Sequence, residues 1–482
     1  MSQDKTVKIY VCGPTTYDHP HLGHARCYVI VDLIRRILGP NAFLVMNITD
    51  IDDKIINRAQ EENTTPALVA QKYEKSFWSA MTRLGVTAPD LIVRVTDCIT
   101  DIIAYAQKII DNGFAYVTDN GSVYFDSEAF LAAGYESEHL IDEDETIYET
   151  EVSPLVLLQK KNRKDFVLWK SREPEDFGYG ARFRNQAGMM IESWGRPGWH
   201  IECSAMIHKT IGLNFDYHFG GIDLKFPHHH NEELQAKAFY HPILKERSWV
   251  SEFHHIGHLC IAGLKMSKSL KNFTTIDDAL KTLTANQLRW LFIRQRWTEC
   301  MDFTPDTVIQ AQNLDAIVVN FLRRVDSYPW LKLDAKATDS SEKLLQQFQA
   351  SRSEVDIQLE NFRFDLVTQV VFDLISKTNA YLNADHPNES VAIKIRNWIR
   401  SVLVTLGFLE TRDAGSDNSA QMMDVLIATR SRLRELSRNT DIPSGLKSKI
   451  FEILDQQRNH DLPNIGIQLQ DTKTSSSWHF MT

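Results

Sequence analysis

Apolar positions repeat along this chain with two periods, and the first fifty residues contain both. Lys8 to Val11 reads as a buried strand, Gly13-Pro14 as a break, and Gly23 to Leu38 as a helix turning Val29, Leu33, Ile34, Ile37 and Leu38 inward. Ala42 to Ile48 is a second apolar strand that runs into Thr49-Asp50-Ile51-Asp52-Asp53-Lys54. Strand, helix and strand at this spacing predict a right-handed parallel unit with ligands beyond the carboxyl ends of its strands, where Thr49 lies. Residues from about Pro66 to Thr118 are expected to be helical, with Ala67-Leu68-Val69-Ala70 and Ile102 to Ala106 as apolar faces. From Gly121 to about Gly188 the pattern turns polar and irregular, with Val123 to Phe125 and Phe166 to Lys170 as short strands, and reads as an insertion between two halves of a sheet. The sheet is expected to resume over Trp194 to Met206 and Phe215 to Leu224. Beyond Pro305 the spacing is helical, over Val318 to Leu322, Leu366 to Tyr381, Ile393 to Leu409 and Met422 to Leu436. A short non-helical tail, Ile465 to Asp471 with Trp478 after it, ends the chain.

Length changes this picture only by allowing several domains of roughly 100–200 residues in 482. Charge changes it more, because a net −10 argues against coating nucleic acid by bulk charge and leaves only local basic patches. The candidates are Lys160-Lys161-Asn162-Arg163-Lys164 and the helix with Arg430, Arg432, Arg434 and Arg438, each of which reads first as a solvated face. Six cysteines without a spaced framework fit a reducing compartment. The first strand begins within a few residues of Met1, so neither a signal nor an Arg-rich transit peptide is expected, a leader already removed being left open, and no apolar run reaches about 18 residues. A cytoplasmic location without a membrane span is therefore expected.

Candidate chemistry sits at the turns. Unpartnered N–H groups at a helix start attract phosphate, and His21 and His24, held beside them, can donate to phosphate oxygens. His-x-Gly-His alone serves a surface turn equally well. Gly220-Gly221 lets backbone approach a ligand closely. Asp50, Asp52 and Asp53 read as helix caps or solvated groups before they read as catalytic ones. His228 and Glu232 stand four residues apart on a helix that Pro227 is expected to start, as do His229 and Glu233, so spacing leaves that register open. A doubly wound sheet brings Cys12 and Cys203 to the same crevice, and two thiolates, an imidazole and a carboxylate suit zinc, although a lone buried cysteine is usually structural.

The tetrapeptide His21-Leu22-Gly23-His24 resembles the first signature of class I aminoacyl-tRNA synthetases, and Lys265-Met266-Ser267-Lys268-Ser269, about 240 residues later, matches the second. The run Asn47-Ile48-Thr49-Asp50-Ile51-Asp52-Asp53-Lys54 resembles the cysteinyl-tRNA synthetase family, strongly from Lys8 to about Phe303 and weakly from there to Phe480. The resemblance implies an α/β fold: a Rossmann-like, doubly wound catalytic domain in two halves (1–118 and 189–252) around a connective insertion (119–188). A stem-contact region with the Lys-rich loop (253–304), an all-α bundle (305–412) and an anticodon-reading module (413–482) would follow. It further implies one zinc ion on Cys12, Cys203, His228 and Glu232. ATP, with its Mg2+, would lie on Gly13, Thr15, His21, Gly23, His24, Gly220, Gly221, Asp223 and Lys268, with His21, His24, Lys265 and Lys268 catalytic. Cysteine would be held by Cys12, Gly13, Thr49 and Trp199, for which core packing is the other reading. Asp471 and Trp478 would touch tRNA, although a packing role suits that tryptophan as well. The expected partners are ATP, L-cysteine and tRNA-Cys, for a monomer with a dimer left open. Two positions depart from the pattern: relatives commonly carry Gly where Phe219 stands and Glu where His230 stands. Two rivals share the motifs, a ligase joining cysteine to a small amine and an inactive tRNA-binding relative. The roughly 180 residues after Phe303 speak against the first, and the intact signatures against the second.

Overall fold

The computed structural model describes residues 6–137, 159–245, 247–261, 263–266, 273–328, 330, 339–383, 387–409, 426–427, 429–437, 443–462, 467–471 and 476–480. Strand β1 (Val7–Val11), helix α1 (Leu22–Leu38) and strand β2 (Ala42–Ile48) form the expected unit, with β1 and β2 parallel from Val7↔Ala42 to Val11↔Met46. The helix stops where Gly39 takes φ 80°, and its N–H caps the Arg35 carbonyl at 3.1 Å. Successive β1 side chains enter opposite cores. Ile9 and Val11 pack with α1, and Tyr10 and Cys12 pack on the other face of the sheet.

Helices α2 (Asp53–Glu61) and α3 (Pro66–Arg83) follow, then strand β3 (Leu91–Arg94) and helix α4 (Ile99–Asp111). The helical expectation for 66–118 is thus corrected: β3 interrupts it, pairing in parallel with β2, and strand β4 (Ala115–Val117) ends it. Leu68, expected on an apolar face, is 55% exposed, because α3 buries Val69, Ala70, Tyr73 and Phe77 instead.

A five-stranded antiparallel sheet is inserted here, from β4 through β5 (Val123–Phe125), β6 (Val167–Ser171) and β7 (Tyr179–Arg184) to β8 (Met190–Pro197), in the order β4-β5-β6-β8-β7, with short helix α5 (Ser127–Ala132) beside it. Trp194 to Pro197, expected in the resumed nucleotide fold, belongs to this sheet, because β8 pairs with both β6 and β7.

The parallel sheet resumes with helix α6 (Trp199–Thr210), strand β9 (Phe215–Gly221), helix α7 (His230–Phe239) and strand β10 (Val250–Ile256). Its order is β10-β9-β1-β2-β3. The chain therefore reverses its winding between β1 and β9, and the carboxyl ends of those two strands define the crevice where ligands are expected. Cys12 follows one end and Gly220-Gly221 closes the other.

Strands β11 (Leu259–Ile261), β12 (Leu264–Lys265) and β13 (Met301–Asp302) make a small sheet beside helices α8 (Ile276–Ala279) and α9 (Ala285–Ile293). Cys260 and Cys300 lie there in disulfide contact, a pairing the cysteine spacing did not announce. The expected helical region contains α10 (Pro305–Asp326), α11 (Asp339–Glu360), α12 (Phe364–Leu382) and α13 (Glu389–Thr405). Thr304 caps α10 and Pro305 occupies its first turn, as helix starts favour. The chain divides into two compact units, Met1–Leu409 and Glu410–Thr482. The second holds helical residues 429–437, helix α14 (Ser444–Gln456) and a hairpin of β14 (Ile467–Asp471) and β15 (Ser476–Phe480), so the tail is an antiparallel pair. No helix among the described residues is long and apolar enough to cross a membrane.

Candidate active site

Four buried side chains from four elements meet below the crevice: Cys12 past β1, Cys203 on α6, His228 in the turn before α7, and Glu232 on α7. Their ligating atoms lie within 4.8 Å of one another. Cys12 Sγ is 3.9 Å from Cys203 Sγ and 3.8 Å from Glu232 Oε1, and His228 Nε2 is 2.9 Å from the same oxygen. Pro227 does not start a regular helix. Phe226 leaves helical geometry (φ −140°, ψ 135°), and a wide π-type turn over Lys225–His229 carries His228 to Glu232. The alternative register is not formed, since Glu233 turns outward to Lys237 at 2.8 Å.

The charges in this cluster explain one another. Burial would raise the Glu232 carboxyl, but His218 and His228 overcome it and hold the group well below the usual carboxylate range. His228, disfavoured as a cation by burial, is raised to about 10 by Glu232 and the Cys203 sulfur. Cys203 is drawn down to about 6, chiefly by the hydrogen bond from Cys12, whose own thiol burial pushes up. The protein has thus buried a carboxylate and a low-pKa thiol beside an imidazolium, and a divalent cation taking the place of the His228 proton would compensate the same charges directly. The donor set and its spacing fit zinc.

A second layer, which sequence reasoning missed, orients the first. His218 Nε2 meets Glu232 Oε2 at 2.9 Å, and His200 Nδ1 meets His228 Nδ1 at 2.9 Å. Burial and the facing His228 lower His200 to about 3, so it accepts the His228 N–H. His229 Nε2 lies 3.4 Å from Cys12 Sγ and its Nδ1 2.9 Å from His255 Nε2. Cys12, His218, His229 and Glu232 consequently form a second compact donor group sharing two members with the first. The only sequence signal for it was the density of histidines in Tyr217-His218-Phe219 and His228-His229-His230.

Beside the cluster lies a cavity of about 180 Å³ lined by Asp53, Lys170, Arg196, Trp199, His200 and Glu202. Trp199 stacks on His228, centroids 4.2 Å apart, and is 42% exposed, so it forms a wall and not a core element. Thr49 is buried with its hydroxyl 3.5 Å from Glu202 Oε2. Asp52 caps α2 through Lys54 N at 2.8 Å, as capping predicts, whereas Asp50 is no N-cap and accepts from Thr96 N at 3.0 Å. Asp53 does neither, pairing with Lys170, Arg172 and Arg196.

The other end of the crevice is built from backbone. Gly13 accepts no side chain, since a Cβ there would stand 1.6 Å from the Asn47 carbonyl oxygen. Thr15 bridges to Thr49 in parallel. His21 caps α1: its Nδ1 accepts from Gly23 N at 3.1 Å, and His24 Nδ1 accepts from His21 N at 3.2 Å. The two rings stack with centroids 3.9 Å apart, fixed at a helix N-terminus. A Cβ on Gly220 would stand 2.8 Å from the His229 ring, so backbone passes close to the buried histidines. Asp223 lies 3.9 Å from His258 Nδ1. Phe219 is wholly buried in the core, and His230 Nε2 lies 3.2 Å from Ser137 Oγ. Lys265 lies on β12 opposite Cys260, whereas Lys268 falls outside the described residues. Asp471 and Trp478 stand on β14 and β15, opposite Ser476 and Leu469. In the basic runs, Lys161 pairs with Asp126 at 3.0 Å and Arg430 is buried on the Leu454 carbonyl, while Arg438 falls outside the described residues.

Comparison with known proteins bears on this geometry. Residues 1–313 match the family described as tRNA synthetases class I (C) catalytic domain. A protein of Acanthamoeba polyphaga mimivirus named cysteine–tRNA ligase is 47% identical over 489 residues, covering 98% of this chain and 96% of that one. The cytoplasmic cysteine–tRNA ligase of Dictyostelium discoideum is 36% identical, covering 98% and 74%. In fold the chain is similar to Mycobacterium tuberculosis methionyl-tRNA synthetase in complex with methionyl-adenylate, with TM-score 0.56, 14% identity and coverage of 83% and 89%.

Proposed function

The chain belongs to the cysteine–tRNA ligase family of class I aminoacyl-tRNA synthetases, ATP-dependent ligases, and from that premise we propose how its residues divide the work. The observation that carries the reading is the buried cluster of Cys12, Cys203, His228 and Glu232 at the switch point, beside the helix that begins with His21 and His24.

Zinc held by Cys12, Cys203, His228 and Glu232 would supply a soft Lewis acid that favours a substrate thiolate over an alcohol. Size alone would separate cysteine from serine by only about 1–3 kcal/mol. Trp199 walls the amino-acid pocket, and Thr49 and the Gly13 backbone hold the remainder of the substrate. ATP lies over Thr15, Gly23, Gly220, Gly221 and Asp223 with its Mg2+. His21 and His24, together with the N-terminus of α1, donate to phosphate oxygens. A carboxylate oxygen of cysteine attacks the α-phosphorus and pyrophosphate leaves. Lys265 and Lys268 follow the growing charge on that leaving group, stabilising the transition state more than bound ATP. A terminal adenosine hydroxyl of tRNA-Cys then attacks the activated carbonyl, and AMP departs. No side-chain nucleophile is needed, since positioning and electrostatics suffice. Asp471 and Trp478 contact the tRNA from the terminal module, residues 413–482, and the protein acts in the cytoplasm.

The test is cysteine-dependent ATP–pyrophosphate exchange, run without tRNA, followed by charging of tRNA-Cys. Both activities are expected. Exchange without charging would point to another acceptor, and neither activity would overturn the reading.

A further inference from the structure

Arg26, one turn beyond the His21–His24 cap, has its guanidinium buried and, among the described residues, faces no carboxylate within ion-pair distance. Its fork divides between two chain segments. One arm, Nη1, donates to the carbonyls of Gly257 (3.0 Å) and His258 (2.7 Å), and the other, Nη2, to those of Trp297 (3.3 Å) and Glu299 (2.7 Å). Those segments also bond to each other, Gly257 N to the Trp297 carbonyl at 3.0 Å and Met301 N to the His258 carbonyl at 2.9 Å. Gly257 leaves them no slack, since a Cβ there would stand 2.1 Å from the Glu299 oxygen. If α1 needed only packing here, an apolar side chain would avoid the cost of burying a charge, which lowers this guanidinium to about 10. What Arg supplies and an apolar residue lacks is a planar fork that fixes two backbones at once.

The segment after His258 is β11, which turns into β12 and leads to the Lys-rich loop. Met266, the last described residue before that loop, is buried and its N–H bonds the Leu259 carbonyl at 2.9 Å. On the far side, Leu22 N bonds the Thr274 carbonyl at 3.0 Å and Ile276 N the Pro20 carbonyl at 3.0 Å. Both described roots of the loop therefore hang on the first signature element, one directly through Pro20 and Leu22 and the other through Arg26.

We propose that Arg26 is a positioning residue that sets the described root of the Lys-rich loop against the α1 cap, and that the contribution of Lys268 to catalysis depends on it. The inference rests on the reading given above for Lys268. The test uses the full chain with Arg26→Lys, which keeps the charge but cannot bridge both segments, in cysteine-dependent exchange. Its kcat is expected to fall about 10–10²-fold with KM for ATP and cysteine within about twofold, as misplacement of a catalytic group does. Combined with Lys268→Ala, which alone should lower kcat, Arg26→Lys is expected to add less than about twofold, because the two act as one unit. An unchanged kcat, a loss confined to KM, multiplicative losses in the double variant, or failure of Arg26→Lys to fold would each overturn the proposal. If Lys268→Ala alone keeps full exchange, the reading of Lys268 fails and the proposal with it. If Lys268→Ala loses activity and Arg26→Lys does not, only the proposal fails.

Discussion

The two ends of the crevice are built from opposite materials. The phosphate end is local: a strand end, a glycine pressed against Asn47, and two histidines whose Nδ1 atoms cap their own helix within four residues. The thiol end is assembled from residues 191 and 220 positions apart, packed as buried charges that oppose one another. The first needs little more than a helix start to attract phosphate, whereas the second holds a carboxylate, thiols and histidines together against their desolvation. Damage should therefore be graded at one end and collective at the other.

The largest expected effect is at the thiol end. Glu232→Gln leaves His218 and His228 without their shared carboxylate, and breaking such a buried pair typically costs about 3–5 kcal/mol. A lowered denaturation midpoint together with loss of metal and of cysteine activation is the expected result. A variant that keeps its metal and its midpoint would show that the buried charges are independent after all. At the phosphate end, Lys268→Ala should cost about 10²–10³-fold in kcat of exchange while leaving the fold intact. A rise confined to KM for ATP would assign it to ground-state binding.

The smallest effect concerns Asp53, between the two ends. Burial pushes its carboxyl up, but Lys170, Arg196 and Arg172 prevail and hold it at about 2. Because its folded-state pKa is depressed, its stabilising contribution is present above the unfolded value near ~3.9 and is lost as pH falls through about 2. The side chain is 47% exposed, so screening leaves less than about 1 kcal/mol. Thermal melts of the native chain and of Asp53→Asn should differ slightly at pH 5 and converge near pH 2. A gap that persists or widens at the acid end would contradict the ion-pair assignment.

The same contrast governs what could be read in advance. β1, α1 and β2 were legible because each carries a full apolar period and ends at Gly13, Gly39 or Thr49. β3 and β4 were not: four and three residues between helices give no alternation to count, and β3 sits at an edge with Leu91 exposed. β8 was missed because Trp194-Gly195-Arg196-Pro197 was read with Trp199 to Met206 as the resuming nucleotide sheet, whereas it pairs with β6 and β7. At the thiol end, both His-Glu pairs had helical spacing, and only resemblance favoured His228 and Glu232. The packing of α7 shows the physical reason for that choice, since it buries Glu232 against β9 and turns Glu233 to Lys237. His200 left no signal and His218 only a local density of histidines, because a histidine that orients a ligand carries no spacing rule of its own.

The central claim is that the Cys12, Cys203, His228 and Glu232 cluster binds zinc and thereby selects cysteine. Its most direct test is Cys203→Ser, with zinc content and kcat/KM for cysteine and serine measured together in the exchange assay. Zinc content is expected to fall and cysteine activation with it, while ATP binding persists and the residual preference for cysteine shrinks toward the roughly 10–200-fold that pocket size alone provides. Stoichiometric zinc with an undiminished preference for cysteine would contradict the claim.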